Sequence, residues 1–408
     1  MTFKKLLTFS LLCLSISLSA VEPATTSLKF YGYVGNEFFY NSRQNVEMVD
    51  GAILLFPKPV SLNSLGTTDL NELPQAELLS VNTRLGMDIN GTPILGAKSS
   101  GKVEADFAGT GSTFFVLRIR QAFVKLNWDK TELLLGQTWH PLFGNVAPTT
   151  PSSNGGAPFQ PFNRSPQLRV KQNLTNTLSV TAAALYEMQY ASQGSLGTSN
   201  SYMKNAITPD LFIGLENKTT HWTTGLGVDY KTLKLTTGKI SSTSAMAYAQ
   251  YINNKLTVKA KTVFGQNLSD QLMFGGYGVS AVNPTTNDTT YTNLNTANAW
   301  LNVVYGSTIQ VGILCGYSQN LGTKTDLLLS SSGKYLAYGY GFNAKPQSIM
   351  NQLYRVAPHV SYNLPNLKFA LEYDLTSAAY GAIQSNGLGI NLTNAINHRL
   401  LASVSYIF

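Results

Sequence analysis

Charge is scarce in this chain. Only 12% of its 408 residues are Asp, Glu, Lys or Arg, about half the share of an ordinary soluble domain. Long apolar runs are scarce as well. Beyond the N-terminus no stretch reaches the roughly 18 apolar residues that a transmembrane helix needs, so a helical membrane protein is excluded. There are two cysteines, Cys13 and Cys315, and Cys13 falls in a leader-like segment. One cysteine in the mature chain allows neither an internal disulfide nor a cysteine-based metal site. There are four histidines, namely His140, His221, His359 and His398. Each is isolated in the sequence, without an HExxH, GxSxG or carboxylate–histidine run around it. We therefore expect no catalytic residues, no metal ligands and no cofactor, and His221 and His359 read as polar-face strand residues.

Gly, Ser, Thr, Asn and Tyr take the place of the missing charge. A wall with one face in lipid and the other in water needs that mixture. Lys4 and Lys5 precede an apolar stretch from Leu6 to Leu18, and Ser19-Ala20 offers a small-residue cleavage site. Residues 1–20 thus read as a signal peptide and 21–408 as the mature domain. A lipid anchor on Cys13 is disfavoured by the bulky Leu12 before it. Removing the leader leaves 27 basic against 21 acidic residues. They are dispersed, which excludes a nucleic-acid footprint.

Alternation with period two runs from Leu28 to the C-terminus, the mark of half-buried strands. In Lys255–Phe264, Leu256, Val258, Ala260, Thr262 and Phe264 share one face, while Lys255, Thr257, Lys259 and Lys261 share the other. Leu367–Leu375 sets Leu367, Phe369, Leu371, Tyr373 and Leu375 against Lys368, Glu372 and Asp374. The pattern predicts sixteen strands, with eighteen as the alternative if 219–252 holds two more. The segments are 28–40, 76–90, 97–108, 113–128, 131–140, 165–173, 177–190, 208–217, 219–236, 243–252, 255–266, 296–305, 308–318, 351–363, 366–377 and 395–408.

A soluble sandwich alternates too, and two features argue against it. Tyr251, Tyr305, Tyr362 and Tyr406 sit near strand ends, as interfacial aromatics do. Short turns also alternate with long polar loops near 41–75, 141–163, 191–207, 267–295, 319–350 and 378–394, the rhythm of a transmembrane β-barrel. The last strand places Leu400, Ala402, Val404, Tyr406 and Phe408 outward and stops on Phe408. We read Tyr406 and Phe408 as the terminal signal for the barrel-assembly machinery. The fold class expected is therefore a closed antiparallel all-β barrel embedded in the outer-membrane lipid of a Gram-negative bacterium.

Three stretches resemble porin-like outer-membrane proteins of Bacteroidetes-type bacteria: Phe30–Tyr40 (FYGYVGNEFFY), Leu135–Gly144 (LGQTWHPLFG) and Ala157–Gln167 (APFQPFNRSPQ). The resemblance covers the whole mature chain and implies fold and compartment more than substrate. A more distant resemblance to general porins implies sixteen strands, often a homotrimer, and a third long loop folded into the pore.

The segment 141–163 holds prolines 141, 148, 151, 158 and 161 and no charged residue. Such a stretch is stiff and unsuited to a sheet. With Phe143, Phe159 and Phe162 it reads as a constriction loop, against the plainer reading of a rigid surface loop. Arg84 and Asp88, then Lys102, Glu104 and Asp106, then Arg118 and Arg120 share the polar parity of strands two to four. An Arg or Lys facing lipid costs about 2–4 kcal/mol at midplane, so these side chains should face inward. Together they build either a transverse field that orders solutes or an ion-pair network that stiffens the wall. Keeping both arginines inward turns Gln121 and Lys125 outward, which a β-bulge after Arg120 would repair, as would an outward Gln121 in a subunit contact. The further lumen-facing set is Lys259, Lys261, Arg355, Glu372 and Asp374, with Lys231, Lys368, Arg399 and Asp229. Its basic excess predicts weak anion preference.

The function expected is passive diffusion of small hydrophilic solutes. A substrate-specific channel and a surface adhesin or structural barrel are the alternatives, and conductance separates them. Gly275-Gly276-Tyr277-Gly278 lacks the Lys-Ser/Thr of a phosphate loop and is placed in a loop.

Overall fold

The structure is a computed structural model that describes residues 26–109, 116–344 and 347–408. The expected leader at 1–20 lies outside the described residues. Sixteen antiparallel strands form one closed sheet. In chain order they are β1 (Ser27–Asn41), β2 (Gln75–Leu79 continued as Arg84–Asn90), β3 (Lys98–Asp106), β4 (Arg118–Asn127), β5 (Thr131–Trp139), β6 (Arg164–Asn173), β7 (Leu178–Leu185) and β8 (Asp210–Lys218). There follow β9 (Trp222–Lys234), β10 (Lys239–Asn253), β11 (Leu256–Gln266), β12 (Thr289–Gly306), β13 (Ile309–Thr323), β14 (Gln347–Asn363), β15 (Leu367–Ile383) and β16 (Gly389–Ile407). Each corresponds to one predicted segment, and 219–252 holds two strands, not four.

Closure comes from β1 pairing with β16, from Tyr33↔Ile407 to Asn41↔Arg399. Gly32 extends the seam: its amide donates to the Phe408 carbonyl, and the Phe408 amide returns the bond, each at 3.0 Å. A closed sheet leaves no unpaired edge, which is what allows strands to exist in a bilayer. Side chains follow the alternation. On β15, Phe369, Leu371 and Tyr373 are exposed outward while Glu372 and Asp374 are buried inward. Tyr305, Tyr362 and Tyr406 are exposed at the end that carries the short turns, and Trp222 there packs on Tyr251 with ring centres 4.8 Å apart.

Of the two repairs for the fourth strand, the structure has the β-bulge. Glu104 pairs with Gln121 and Ala105 with Ile119, so Arg120 is the extra residue. It keeps Arg118 and Arg120 on the inner face and also returns Gln121 to it, where the Gln121 amide donates to Glu104 at 3.3 Å.

The long connections depart from expectation in three places. The region 41–75 is not a polar surface loop. Asn45–Met48 and Ile53–Pro57 pair as a hairpin, and Val49 and Ala52–Phe56 are buried inside the barrel. The region 378–394 is not a long loop: β15 runs to Ile383 and β16 begins at Gly389, so the connection is short. Gly275–Gly278 lies in a strand, Gly275–Val282, paired with Ala337–Tyr340 above the barrel rim.

The hydrophobic core consequently sits within the barrel. Leu55 and Phe56 from the first loop, Leu142, Val146 and Phe159 from the third, and Leu268, Met273 and Phe274 after β11 pack with inward wall residues such as Trp300 and Leu314. Burying each such side chain contributes about 1.5–3 kcal/mol, enough to hold the loops inside as a plug.

Candidate functional site: the charged wall and the loop that faces it

The third loop connects β5 to β6. Its ends are clasped by the His140 amide, which donates to the Asn163 carbonyl at 2.9 Å. From there it crosses the lumen and is held on several sides. Lys259 donates to the Ala147 carbonyl at 3.1 Å and to the Thr149 hydroxyl at 2.8 Å. Lys261 donates to the Phe143 carbonyl. The Trp300 indole donates to Gln160 at 3.0 Å, and the Thr149 amide to Asn302 at 2.8 Å. Arg355 donates to the carbonyls of Ala157 (2.7 Å), Leu54 (3.2 Å) and Leu55 (3.1 Å) and pairs with Asp374 at 2.9 Å. A chargeless loop suits this place because its carbonyls satisfy cations from the wall, which would otherwise be buried unpaired.

This changes the reading of the further lumen-facing set. Lys259, Lys261, Arg355, Glu372 and Asp374 point inward, but Lys261, Arg355, Glu372 and Asp374 are buried under the plug. Arg399 likewise donates to the Gly51 carbonyl at 2.8 Å. Lys231 pairs with Asp270 and lies 3.8 Å from Glu187. The basic residues of β9, β11, β14 and β16 thus hold loops instead of lining open space.

Opposite the plug, β2 to β4 bring the remaining predicted residues together. Arg118 grips Asp106 through Nε at 2.9 Å and Nη2 at 3.0 Å. Arg120 bridges Glu104 (2.8 Å) and Asp106 (2.6 Å). Arg84 reaches Glu104 at 3.8 Å and lies over the Tyr33 ring. Lys102 pairs with Asp88 at 2.7 Å and donates to the Tyr31 hydroxyl, which donates to Glu104. The register explains the ladder, since Arg84 faces Asp106 and Asp88 faces Lys102 across β2 and β3. Opposite charges therefore pair along one wall.

Between wall and plug runs a cavity of about 410 Å³, lined by Arg84, Asp106, Arg118 and Arg120, by loop residues from Ala147 to Gly155, and by Trp139, Phe162 and Arg164. Arg164 was not among the predicted residues. It is fully buried, and its guanidinium lies 4.3 Å from the Trp139 ring centre. The available signal was a lone arginine closing a chargeless, aromatic loop.

The isolation expected of the histidines fails for His140. Its Nε2 lies 3.1 Å from Asp210 and 3.9 Å from Asp229, and all three residues are buried. Residues 70 and more positions apart meet because β8 and β9 adjoin the root of the third loop, which no local motif could reveal. The donor atoms lie within 4.8 Å of one another, the spread of a metal site. The Leu142 amide, however, donates to His140 Nδ1 at 3.1 Å. With the imidazole proton on Nε2, facing the carboxylates, His140 donates to Asp210 and ties the root of the third loop to β8.

Outside the strands, Glu187 accepts from the Ser192 hydroxyl at 2.6 Å and the Ser192 amide at 2.9 Å. Burial, with Asp270 nearby, pushes its carboxyl up to about 7.

Sixteen antiparallel strands closed into a barrel are the fold of the outer-membrane porins. The chain is similar to the outer membrane channel DcaP of Acinetobacter baumannii, with a TM-score of 0.68 and 16% identity over 94% of this chain and 98% of that one. Outer-membrane-expressed OmpT of Vibrio cholerae gives 0.56 and 10%, covering 95% of this chain and 99% of that chain. Salmonella typhi OmpF in complex with daunomycin gives 0.55 and 12%, covering 93% and 97%. At these identities the likeness is one of fold. No protein-family model matches the sequence, and no curated protein matches it.

Proposed function

We propose that the protein is an outer-membrane channel through which small hydrophilic solutes diffuse, with preference for anions. The charge census of the passage carries this reading. Among the described residues, Arg84, Arg118, Arg120, Arg164 and Lys368 line it against Asp106 as the one acid. A narrow, low-dielectric cleft of one sign concentrates counter-charge. The likeness to DcaP, an outer membrane channel, supports the channel part. In this reading Arg84, Lys102, Glu104, Asp106, Arg118 and Arg120 form the constriction wall and the third loop narrows the passage. Export by the leader, assembly through Tyr406 and Phe408, and a trimeric state complete the proposal, the last supported by a trimer form among the structures of Vibrio cholerae OmpT.

Planar-bilayer recording of the purified protein in a KCl gradient tests it. We expect discrete openings and a reversal potential of anionic sign, diminished by Arg118→Ala and Arg120→Ala. Cation selectivity would refute the preference, and absence of conductance would refute the channel.

A further inference from the structure

We infer that Arg164 is a binding residue for the carboxylate of a small organic anion, so that such solutes cross through a saturable site. The inference rests on the reading of the barrel as an anion-preferring channel, but it goes from a general preference to one chemical class held by one side chain.

Arg164 stands apart from the other arginines of the cavity in being fully buried, whereas the Arg84 side chain, 3.8 Å from Glu104, is a quarter exposed. Arg118 and Arg120 spend their donors on Asp106 and Glu104. Arg164 spends only Nε, which donates to Gln189 at 2.6 Å. Among the described residues, its Nη1 and Nη2 have no hydrogen-bond partner, although the side chain is fully buried. Trp139 and Phe162 flank the guanidinium, at 4.3 and 5.6 Å to their ring centres. One edge is therefore anchored and the faces are packed, while the amino groups remain without an acceptor in a residue that lines the cavity. An unpaired charge held out of water is costly, and a ligand that pairs with it removes that cost.

The geometry selects the ligand. The two amino groups of a guanidinium lie in one plane and match the two oxygens of a carboxylate. Trp139, Phe143 and Phe162 offer an apolar lining for a short hydrocarbon body. The Tyr190 ring packs behind Phe162, with centres 6.3 Å apart, and backs this apolar side. With a cavity of about 410 Å³, and about 30 Å³ per water molecule in the liquid, there is room for a solute of several carbons.

The test compares butyrate with butyramide, which has nearly the same shape and no charge. Chloride current through the bilayer-inserted protein should fall saturably with butyrate and not with butyramide, at constant ionic strength. Arg164→Gln should raise the half-blocking concentration about tenfold or more, as loss of a charge-assisted pair does. Arg164→Lys, which keeps the charge and loses the planar pair of donors, should fall between. If Arg164→Gln does not fold, Arg164→Lys decides alone, and wild-type affinity in it overturns the proposal. Equal block by butyrate and butyramide, or none by either, also overturns it. Inorganic phosphate competing as well as butyrate would refute the carboxylate class. Calorimetry with the detergent-solubilised protein separates the two readings. Butyrate binding without anion-selective conductance would leave the site standing and the channel refuted; anion-selective conductance without butyrate binding would do the reverse.

Discussion

Replacing Asp106 by Asn isolates what charge does in the passage, because size and one acceptor oxygen are kept. Asp106 is 3% exposed and accepts four bonds, two from Arg118, one from Arg120 and one from the Ala108 amide. Its loss leaves the cavity lined by five basic groups and no acid. A unit charge about 5 Å from an ion in water is worth about 0.8 kcal/mol. Screening over half a Debye length at 0.1 M salt reduces that to about 0.5 kcal/mol. The change favours Cl⁻ and disfavours K⁺ alike, so the permeability ratio should shift by about fivefold toward Cl⁻. Reversal potentials in KCl gradients held at or below 0.1 M measure it, and the shift should shrink at 1 M, where the Debye length is about 3 Å. Depriving Arg118 of its carboxylate, and leaving Arg120 with Glu104 alone, should also cost about 3 kcal/mol of stability, visible as earlier loss of heat-modifiable migration in SDS gels. A ratio that stays constant, or moves toward K⁺, in protein shown to be folded would refute the assignment of this wall to the ion path.

Arg355→Ala removes three carbonyl contacts to the first and third loops and leaves Asp374 buried without its partner. We expect a loss of about 3–5 kcal/mol, proteolytic cleavage within 141–163, and a larger, noisier conductance. Gly32→Ala places a methyl 2.8 Å from the Phe408 ring and against the Arg84 carbonyl. The closing seam should be disturbed, and the fraction reaching the folded, heat-modifiable form should fall. Glu187 is protonated in the folded protein up to about pH 7 and ionises near 4.3 when unfolded. Its contribution is therefore complete below about pH 4 and is lost as pH rises through 7. Hydrogen exchange in 186–209 should accelerate across that window, and Glu187→Gln should flatten the response.

Much of the barrel was legible because membrane strands obey a strong local rule. Phe369, Leu371 and Tyr373 face out and Glu372 and Asp374 face in because a charge in lipid is costly at every turn of the pleat. The bulge at Arg120 was legible for the same reason: no unbulged register keeps Arg118, Arg120 and Lys125 all inside. The loops obey no such rule. Ala52–Phe56 is an apolar run within a segment that otherwise reads as a polar connection, and its place inside the barrel depends on packing against distant strands. His140, Asp210 and Asp229 meet through the closure of the sheet, and nothing near any of them in the chain announces the others.

The amino-acid order by itself determined the sixteen strands, their facing, and the charges that had to point inward, since each follows from alternation against a solvent of known polarity. Tertiary structure decided which of those charges still face open space. Lys259, Lys261 and Arg355 are spent on carbonyls of the third and first loops, while Arg164, fully buried, keeps two amino groups without a partner among the described residues. That division depends on how the loops fill a cylinder, a matter of long-range packing that pairs residues hundreds of positions apart.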